Sequence, residues 1–400
     1  MKSKWAGVLA KLALLAGSLT LMLVVGEIGV RVLGLAPPVK SRDGDSVASV
    51  VVFDAKLETR YQPNQHTKIV SQYGEFATDY DFNELGLRDR PVPARTEDKS
   101  LRILALGNSF VEGWGVQTED SFLHVAEAIL NAKRPVRIVN GGASGYGAAQ
   151  SYLLCQELLP KIQPDAVVFF YLPTMLPADQ KFLAKAELDK DEIALGLNLD
   201  ALINAPTVKQ DAATGNAFVD SAIVSSTSEY SSLVRMVRSR IANRAARQSI
   251  IPGDPRSDLF AAYRAPAENL PEMHAPTLRH IIALGRLARA AGVPFLVVQL
   301  PMPFEISATE WSRGREIYGL TGSVAVSPEL RRLPAEALQK AGVPLVAAHE
   351  FLAAKAQSQP GLYFAFDFHL NATGQRLLGA WLADQLSSLV TSHQGVARDE

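Results

Sequence analysis

The sequence predicts an α/β fold, a central parallel sheet with helices on both faces, preceded by an N-terminal transmembrane helix. Three observations predict it. From residue 100 onward, short apolar runs take turns with longer helix-patterned stretches, the signature of a parallel sheet. The runs themselves, Leu101–Leu106 first among them, are continuous rather than alternating, as expected of strands buried on both faces. Residues 5–26 are apolar over a length that as a helix reaches about 30 Å, roughly one hydrocarbon core.

The N-terminal segment, residues 1–36, carries Lys2 and Lys4 ahead of the apolar stretch Trp5–Gly26, which only Lys11 interrupts. A cleaved signal peptide and an uncleaved anchor both fit such a stretch. The best small-residue site, Gly34-Leu35-Ala36, is followed by Pro37, a poor place to cut, which favours the anchor. Lys2, Lys4 and Lys11 are nearly matched by Arg31, Lys40 and Arg42, so the positive-inside rule separates the two orientations only weakly. The very short N-terminal tail favours export. Ala36-Pro37-Pro38 marks a stiff exit from the membrane.

Residues 37–99 read as a segment packed on the main domain. Its extended runs include Val47–Phe53 and Thr67–Val70, and Asn83-Glu84-Leu85-Gly86 signals a turn. The main domain spans 100–392. Helices are expected at 119–132, 148–162, around 276–291, at 328–341 and at 372–390. Further strands are expected at Val136–Val139, Ala166–Leu172, Pro294–Leu300 and Val343–Ala347. Gly292-Val293-Pro294 and Gly342-Val343-Pro344 read as helix stops leading into strands. Residues 181–275 read as an insertion without a strand. Within it Arg235, Arg238, Arg240, Arg244 and Arg247 accompany Leu233, Val237 and Ile241 spaced four apart. That stripe is a solvated helix face or a surface for anionic lipid or glycan.

Composition narrows the function classes. Of 400 residues, 48% are hydrophobic and 20% charged, as in an ordinary globular protein, and the net charge of −1 gives no reason to expect a nucleic-acid partner. Cys155 is the only cysteine, which excludes a disulfide framework and a cysteine-based zinc site. No two of His66, His124, His274, His280, His349 and His393 have metal-ligand spacing. Neither a metal nor a cofactor is expected, and the oligomeric state is not legible.

In open α/β sheets, ligands bind outside the carboxyl ends of the strands, so reactive residues just after strands are the candidates. The first strand runs into Gly107-Asn108-Ser109, with Ser109 at the start of the next helix, where free N–H groups can stabilise an oxyanion. A serine there is equally read as a helix N-cap. The second strand ends in Asn140-Gly141-Gly142-Ala143-Ser144-Gly145, a loop able to bring backbone N–H groups close to a ligand, or an ordinary glycine-rich turn. Asp367-Phe368-His369-Leu370-Asn371 precedes the last helix. A serine hydroxyl needs a base, histidine suits that task near neutral pH, and a carboxylate fixes its tautomer. The structural alternative has Asp367 or Asn371 capping the helix.

Together these blocks resemble the SGNH (GDSL-type) hydrolases over roughly residues 100–180 and 285–390, and Asn83–Asp89 is similar to membrane-tethered bacterial members. The resemblance implies a flavodoxin-like α/β/α sandwich. It implies Ser109 as nucleophile with its own N–H as one oxyanion donor, the N–H of Gly145 as a second, His369 as base and Asp367 as its orienting partner. Two departures stand out. Asn108 occupies the position of the family's usual aspartate, and Tyr171-Leu172-Pro173-Thr174-Met175 replaces its Gly-Asn-Asp block, so Thr174 stands where an asparagine donor is usual. Loss of one such donor typically costs about 10²–10³ in rate. The resemblance implies a serine esterase or O-acyltransferase acting on a small ester or acylated carbohydrate, held at a bacterial inner membrane with its main domain in the periplasm or outside the cell. A weak or inactive relative that binds a glycan or an assembly partner is the alternative, and a lipid-active esterase is a third reading.

Overall fold

The computed structural model describes residues 2–32, 49–71, 73–200, 231, 233, 236–237, 259–318, 320 and 326–392. The N-terminal run forms one helix, α1 (Lys2–Val32). Its part Ala13–Val32 is long and apolar enough to cross a membrane. This is displaced toward the C-terminus from the expected 5–26. The helix continues past Gly26 because Glu27 and Arg31 pair across one turn at 2.6 Å, which offsets the cost of two charges beside an apolar run. Glu27 also accepts the N–H of Leu233 at 2.9 Å, tying the end of α1 to the insertion. The exit Ala36-Pro37-Pro38 and the arginines 235, 238, 240, 244 and 247 lie outside the described residues.

Two antiparallel hairpins follow, β1 (Val51–Asp54) with β2 (Glu58–Tyr61), and β3 (His66–Val70) with β4 (Ala77–Asp81). The main body then runs β5 (Leu101–Gly107), α2 (Ser109–Glu112), α3 (Phe122–Asn131), β6 (Val136–Gly142), α4 (Ala148–Ile162), β7 (Ala166–Tyr171) and α5 (Met175–Leu183). A short hairpin comes next, β8 (Ala186–Leu188) with β9 (Ala194–Leu197). The rest is α6 (Ala261–Arg264), α7 (Leu270–Ala290), β10 (Phe295–Gln299), α8 (Pro303–Ile306), α9 (Ser312–Ile317), α10 (Glu329–Lys340), β11 (Leu345–Ala347), α11 (His349–Ser358) and α12 (Ala372–Ser392).

Five strands form an all-parallel sheet in the order β11-β10-β7-β5-β6. Counted from β5, that is the 2-1-3-4-5 order of the flavodoxin-like doubly wound sheet. Every residue of β5, β6, β7 and β10 is buried, because helices cover both faces. On the helical layers, α3 packs with α12, and α7 packs with α4, α5 and α10. The winding direction reverses after β6, so the carboxyl ends of β5, β6 and β7 frame the crevice where such sheets bind ligands.

The structure corrects three expectations. The insertion does hold a hairpin, β8–β9, whose strands are too short to show a pattern. Asp189 Oδ1 closes its turn by accepting from Asp191 and Ile193, and His280 Nε2 accepts the N–H of Ala194 at 3.0 Å. The last strand shrinks to Leu345–Ala347, because the Val343 N–H is used to close α10, bonding Leu338 O at 2.9 Å, and Pro344 has none to give. The helix expected from 276 begins at Leu270, with Pro271 in its first turn, where no N–H is needed.

Candidate active site

Ser109 opens α2, a four-residue helix that the sequence builds from both ends. Asn108 Oδ1 accepts the Phe110 N–H at 3.1 Å, and the Asn108 carbonyl accepts from Val111 and Glu112. Asn108, in the position of the family's usual aspartate, thus spends its side-chain oxygen on the cap. At the other end Arg88 reaches in from the N-terminal segment. Its guanidinium donates to the carbonyls of Glu112 (3.0 Å), Gly113 (2.5 Å) and Val116 (2.6 Å) and lies 3.4 Å over the Tyr80 ring. The arginine is only 1% exposed, so it acts as an internal clamp on the turn that follows the serine.

The loop before α12 brings the histidine across. Asn371, not Asp367, caps α12, its Oδ1 accepting from Thr373 and Gly374. That leaves Asp367 Oδ1 for the ring of His369, whose Nδ1 lies 2.5 Å away, and His369 Nε2 lies 2.6 Å from Ser109 Oγ. The carboxylate partner assigns the proton to Nδ1, so the Nε2 lone pair faces the hydroxyl. The second oxygen of Asp367 accepts the Trp114 indole N–H at 3.1 Å. Burial pushes the Asp367 carboxyl up, but the charge of His369 and the hydrogen bonds from His369 and Trp114 outweigh it and hold it below the usual carboxylate range. Phe110 and Phe368 flank the imidazole with ring centroids 4.7 and 4.5 Å away. Ser109 itself is partly exposed.

Gly142 ends β6 hard against α2, where a Cβ would overlap the backbone of Val111 and Glu112, so only glycine lets the two strand-end loops touch. Gly145 has open space around it but a φ of +81°, a conformation that side chains resist. The N–H groups of Ser109 and Gly145 take part in no hydrogen bond among the described residues. Ser144, beside Gly145, donates to Glu112 Oε2 at 2.7 Å, and Tyr61 OH donates to the same oxygen at 2.9 Å. Burial raises the Glu112 carboxyl above its ordinary range. Thr174 begins α5 just after β7; it is buried and makes no side-chain cap bond.

The structure therefore brings Ser109, His369 and Asp367 into one hydrogen-bonded line and sets Gly145 and Thr174 on the neighbouring strand ends. Arg88, Trp114 and Glu112 escaped the sequence reading. The Asn83–Asp89 resemblance pointed at the right segment for Arg88. Nothing in the sequence joins Trp114 to Asp367, 253 residues later.

No family model matches the sequence, and no curated protein matches it. Solved structures do. Esterase EstA from Pseudoalteromonas sp., in a structure inhibited by monoethylphosphonate, is similar at TM-score 0.35 and 12% identity, covering 73% of this chain and 100% of its own. The inhibitor-bound aryl esterase of M. smegmatis is similar at TM-score 0.36 and 14% identity, covering 72% and 100%. A member of the lipolytic protein G-D-S-L family from Veillonella parvula is similar at TM-score 0.35 and 11% identity, covering 72% and 98%.

Proposed function

We propose that the chain is a serine esterase or O-acyltransferase that forms a covalent acyl-enzyme on Ser109. The observation that carries this reading is the Ser109 Oγ–His369 Nε2 contact of 2.6 Å, with Asp367 2.5 Å behind the ring. In the reaction, His369 Nε2 takes the hydroxyl proton as Oγ attacks the ester carbonyl carbon. The N–H groups of Ser109 and Gly145, and the Thr174 hydroxyl, receive the oxyanion of the tetrahedral intermediate. The intermediate collapses by breaking the bond to the alcohol oxygen, which takes its proton from His369. Water or a sugar hydroxyl then gives its proton to His369 and attacks the acyl carbon, and the bond to Ser109 Oγ breaks as that oxygen takes the proton back from His369. Asp367 stabilises the imidazolium formed in each half and stays ionised.

The substrate class we propose is an acetyl ester of an envelope or exported carbohydrate. Its supports are the resemblance to membrane-tethered SGNH proteins that serve polysaccharide O-acetylation and a helix long and apolar enough to hold the domain at a membrane. We place the protein at a bacterial inner membrane with the main domain in the periplasm. One observation favours a second reading, a weak or inactive glycan-binding relative: Thr174 stands where the family's asparagine donor is usual.

Turnover of p-nitrophenyl acetate by the detergent-solubilised chain tests the proposal. Ser109→Ala and His369→Ala should each lower kcat by about 10⁴-fold or more, since the two act as a unit. Adding an acceptor polysaccharide should speed acyl release if the chain is a transferase. Equal turnover in all three proteins would end the catalytic reading and leave the binding one.

A further inference from the structure

The loop that carries Asp367 and His369 has its backbone hydrogen bonds divided between two sides. On one side its carbonyls are taken, Phe366 O by the Trp311 indole N–H at 2.7 Å and Ala365 O by Gly314 N–H at 3.0 Å. On the other side two successive N–H groups, those of Phe366 and Asp367, face no strand and no helix. Glu75 receives both, its Oε1 accepting from Phe366 at 3.0 Å and its Oε2 from Asp367 at 2.9 Å. The residue comes from the turn between β3 and β4, outside the stretches that resemble the SGNH hydrolases. That turn is itself fixed. Ser71 N–H bonds Phe76 O at 2.9 Å, and Gly74 N–H bonds Ser71 O at 3.0 Å. Aromatic contacts seat it against the same loop: Tyr73 stacks on Phe366 with centroids 5.2 Å apart, and Phe76 meets Phe364 at 5.0 Å.

We propose that Glu75 is a positioning residue for the Asp367–His369 pair, its forked carboxylate fixing the backbone from which both side chains project. The role rests on the reaction proposed at Ser109. The bond to Asp367 N–H acts at the residue whose carboxylate meets the imidazole 2.5 Å away, so a turn of that peptide moves Oδ1 directly. A carboxylate fork gives each of the two adjacent N–H groups an oxygen of its own, where an amide would offer both a single shared oxygen. The arrangement is costly. Burial above all, and the neighbouring charge of Asp367, push the Glu75 carboxyl above its ordinary range, although three backbone N–H groups pull it back. Proteins tolerate such local conflict where a site's geometry demands it.

The experiment compares full-length wild type, Glu75→Ala and Glu75→Gln by steady-state turnover of p-nitrophenyl acetate and by the far-downfield proton resonance of His369 Nδ1–H. Glu75→Ala should lower kcat by roughly 10–100-fold with KM held within about twofold, because misplacement by an ångström costs that order in rate. Its downfield proton should broaden or vanish through exchange. Glu75→Gln keeps one acceptor and should fall between. A Glu75→Ala protein with wild-type kcat and resonance overturns the proposal, as does a wild-type-like Glu75→Gln should the alanine variant fail to fold. A loss of activity that follows only the loss of folded protein makes Glu75 a structural tie and overturns it too. If wild type turns over no ester while the resonance still depends on Glu75, the esterase reading fails and the positioning role stands.

Discussion

Thr174 is the residue on which the strength of the site turns. It is 4% exposed at the first turn of α5, and its hydroxyl makes no cap bond to the helix it begins. Thr174→Val removes the hydroxyl and keeps the shape. If the hydroxyl meets the oxyanion, kcat/KM on p-nitrophenyl acetate should fall by about 10²-fold with little change in melting temperature. Thr174→Asn should keep or raise activity by restoring a longer amide donor. An unchanged kcat/KM in Thr174→Val would show that two backbone donors suffice. At this scale, legibility follows combination. Ser109, Asp367 and His369 stand out in the sequence because their blocks together, in order and spacing, resemble the SGNH hydrolases, whereas each block alone reads equally well as a cap or a turn. Arg88, Glu75 and Trp114 do not stand out. Their side chains work on backbone or on a carboxylate far along the chain, up to 292 residues away for Glu75, and no local pattern records such a meeting.

The strands were legible where burial on both faces leaves a continuous apolar run, as in β5 and β7, and the helices where burial on one face imposes a period, as in α4 and α12. They were illegible where a few hydrogen bonds hold a short element, as in β8 and β9. One short element carries a pH-dependent cost. In α8, at the end of β10, Glu305 Oε2 accepts the Met302 N–H at 2.7 Å and the Tyr263 hydroxyl at 3.2 Å. Although the residue is partly exposed, its carboxyl is enclosed, and burial pushes it up to about 7 from 4.5. Because the folded pKa is raised, the stability this group contributes is fully present below 4.5 and is lost as pH rises through about 7. Glu305→Gln removes the titration. Denaturant unfolding at pH 5 and pH 8 should show the variant gaining on wild type by on the order of 2 kcal/mol between the two, discounted for solvent at the open side. A constant difference between the two pH values would place the Glu305 carboxyl in water rather than in the core.

At the scale of the molecule, the doubly wound order decides where chemistry can occur; the alternation of apolar runs and helices foretold the parallel sheet, and the family resemblance implied its flavodoxin-like winding. What the sequence did not foretell is how far the N-terminal segment enters the site. Tyr61, Glu75 and Arg88 come from the stretch before the sheet; Tyr61 and Arg88 hold α2 and the turn after it, and Glu75 holds the loop before α12. The helix α1 holds a stretch long and apolar enough to cross a membrane, and the charges around it barely bias an orientation. The claim that unites these parts is that Ser109 is a nucleophile made reactive by His369. Its most direct measurement is the intact mass of the full-length protein after treatment with a fluorophosphonate, followed by peptide mapping. One phosphonyl adduct should form, located on Ser109, absent from Ser109→Ala and strongly slowed in His369→Ala. An adduct on another residue, or equal labelling of wild type and His369→Ala, would contradict it.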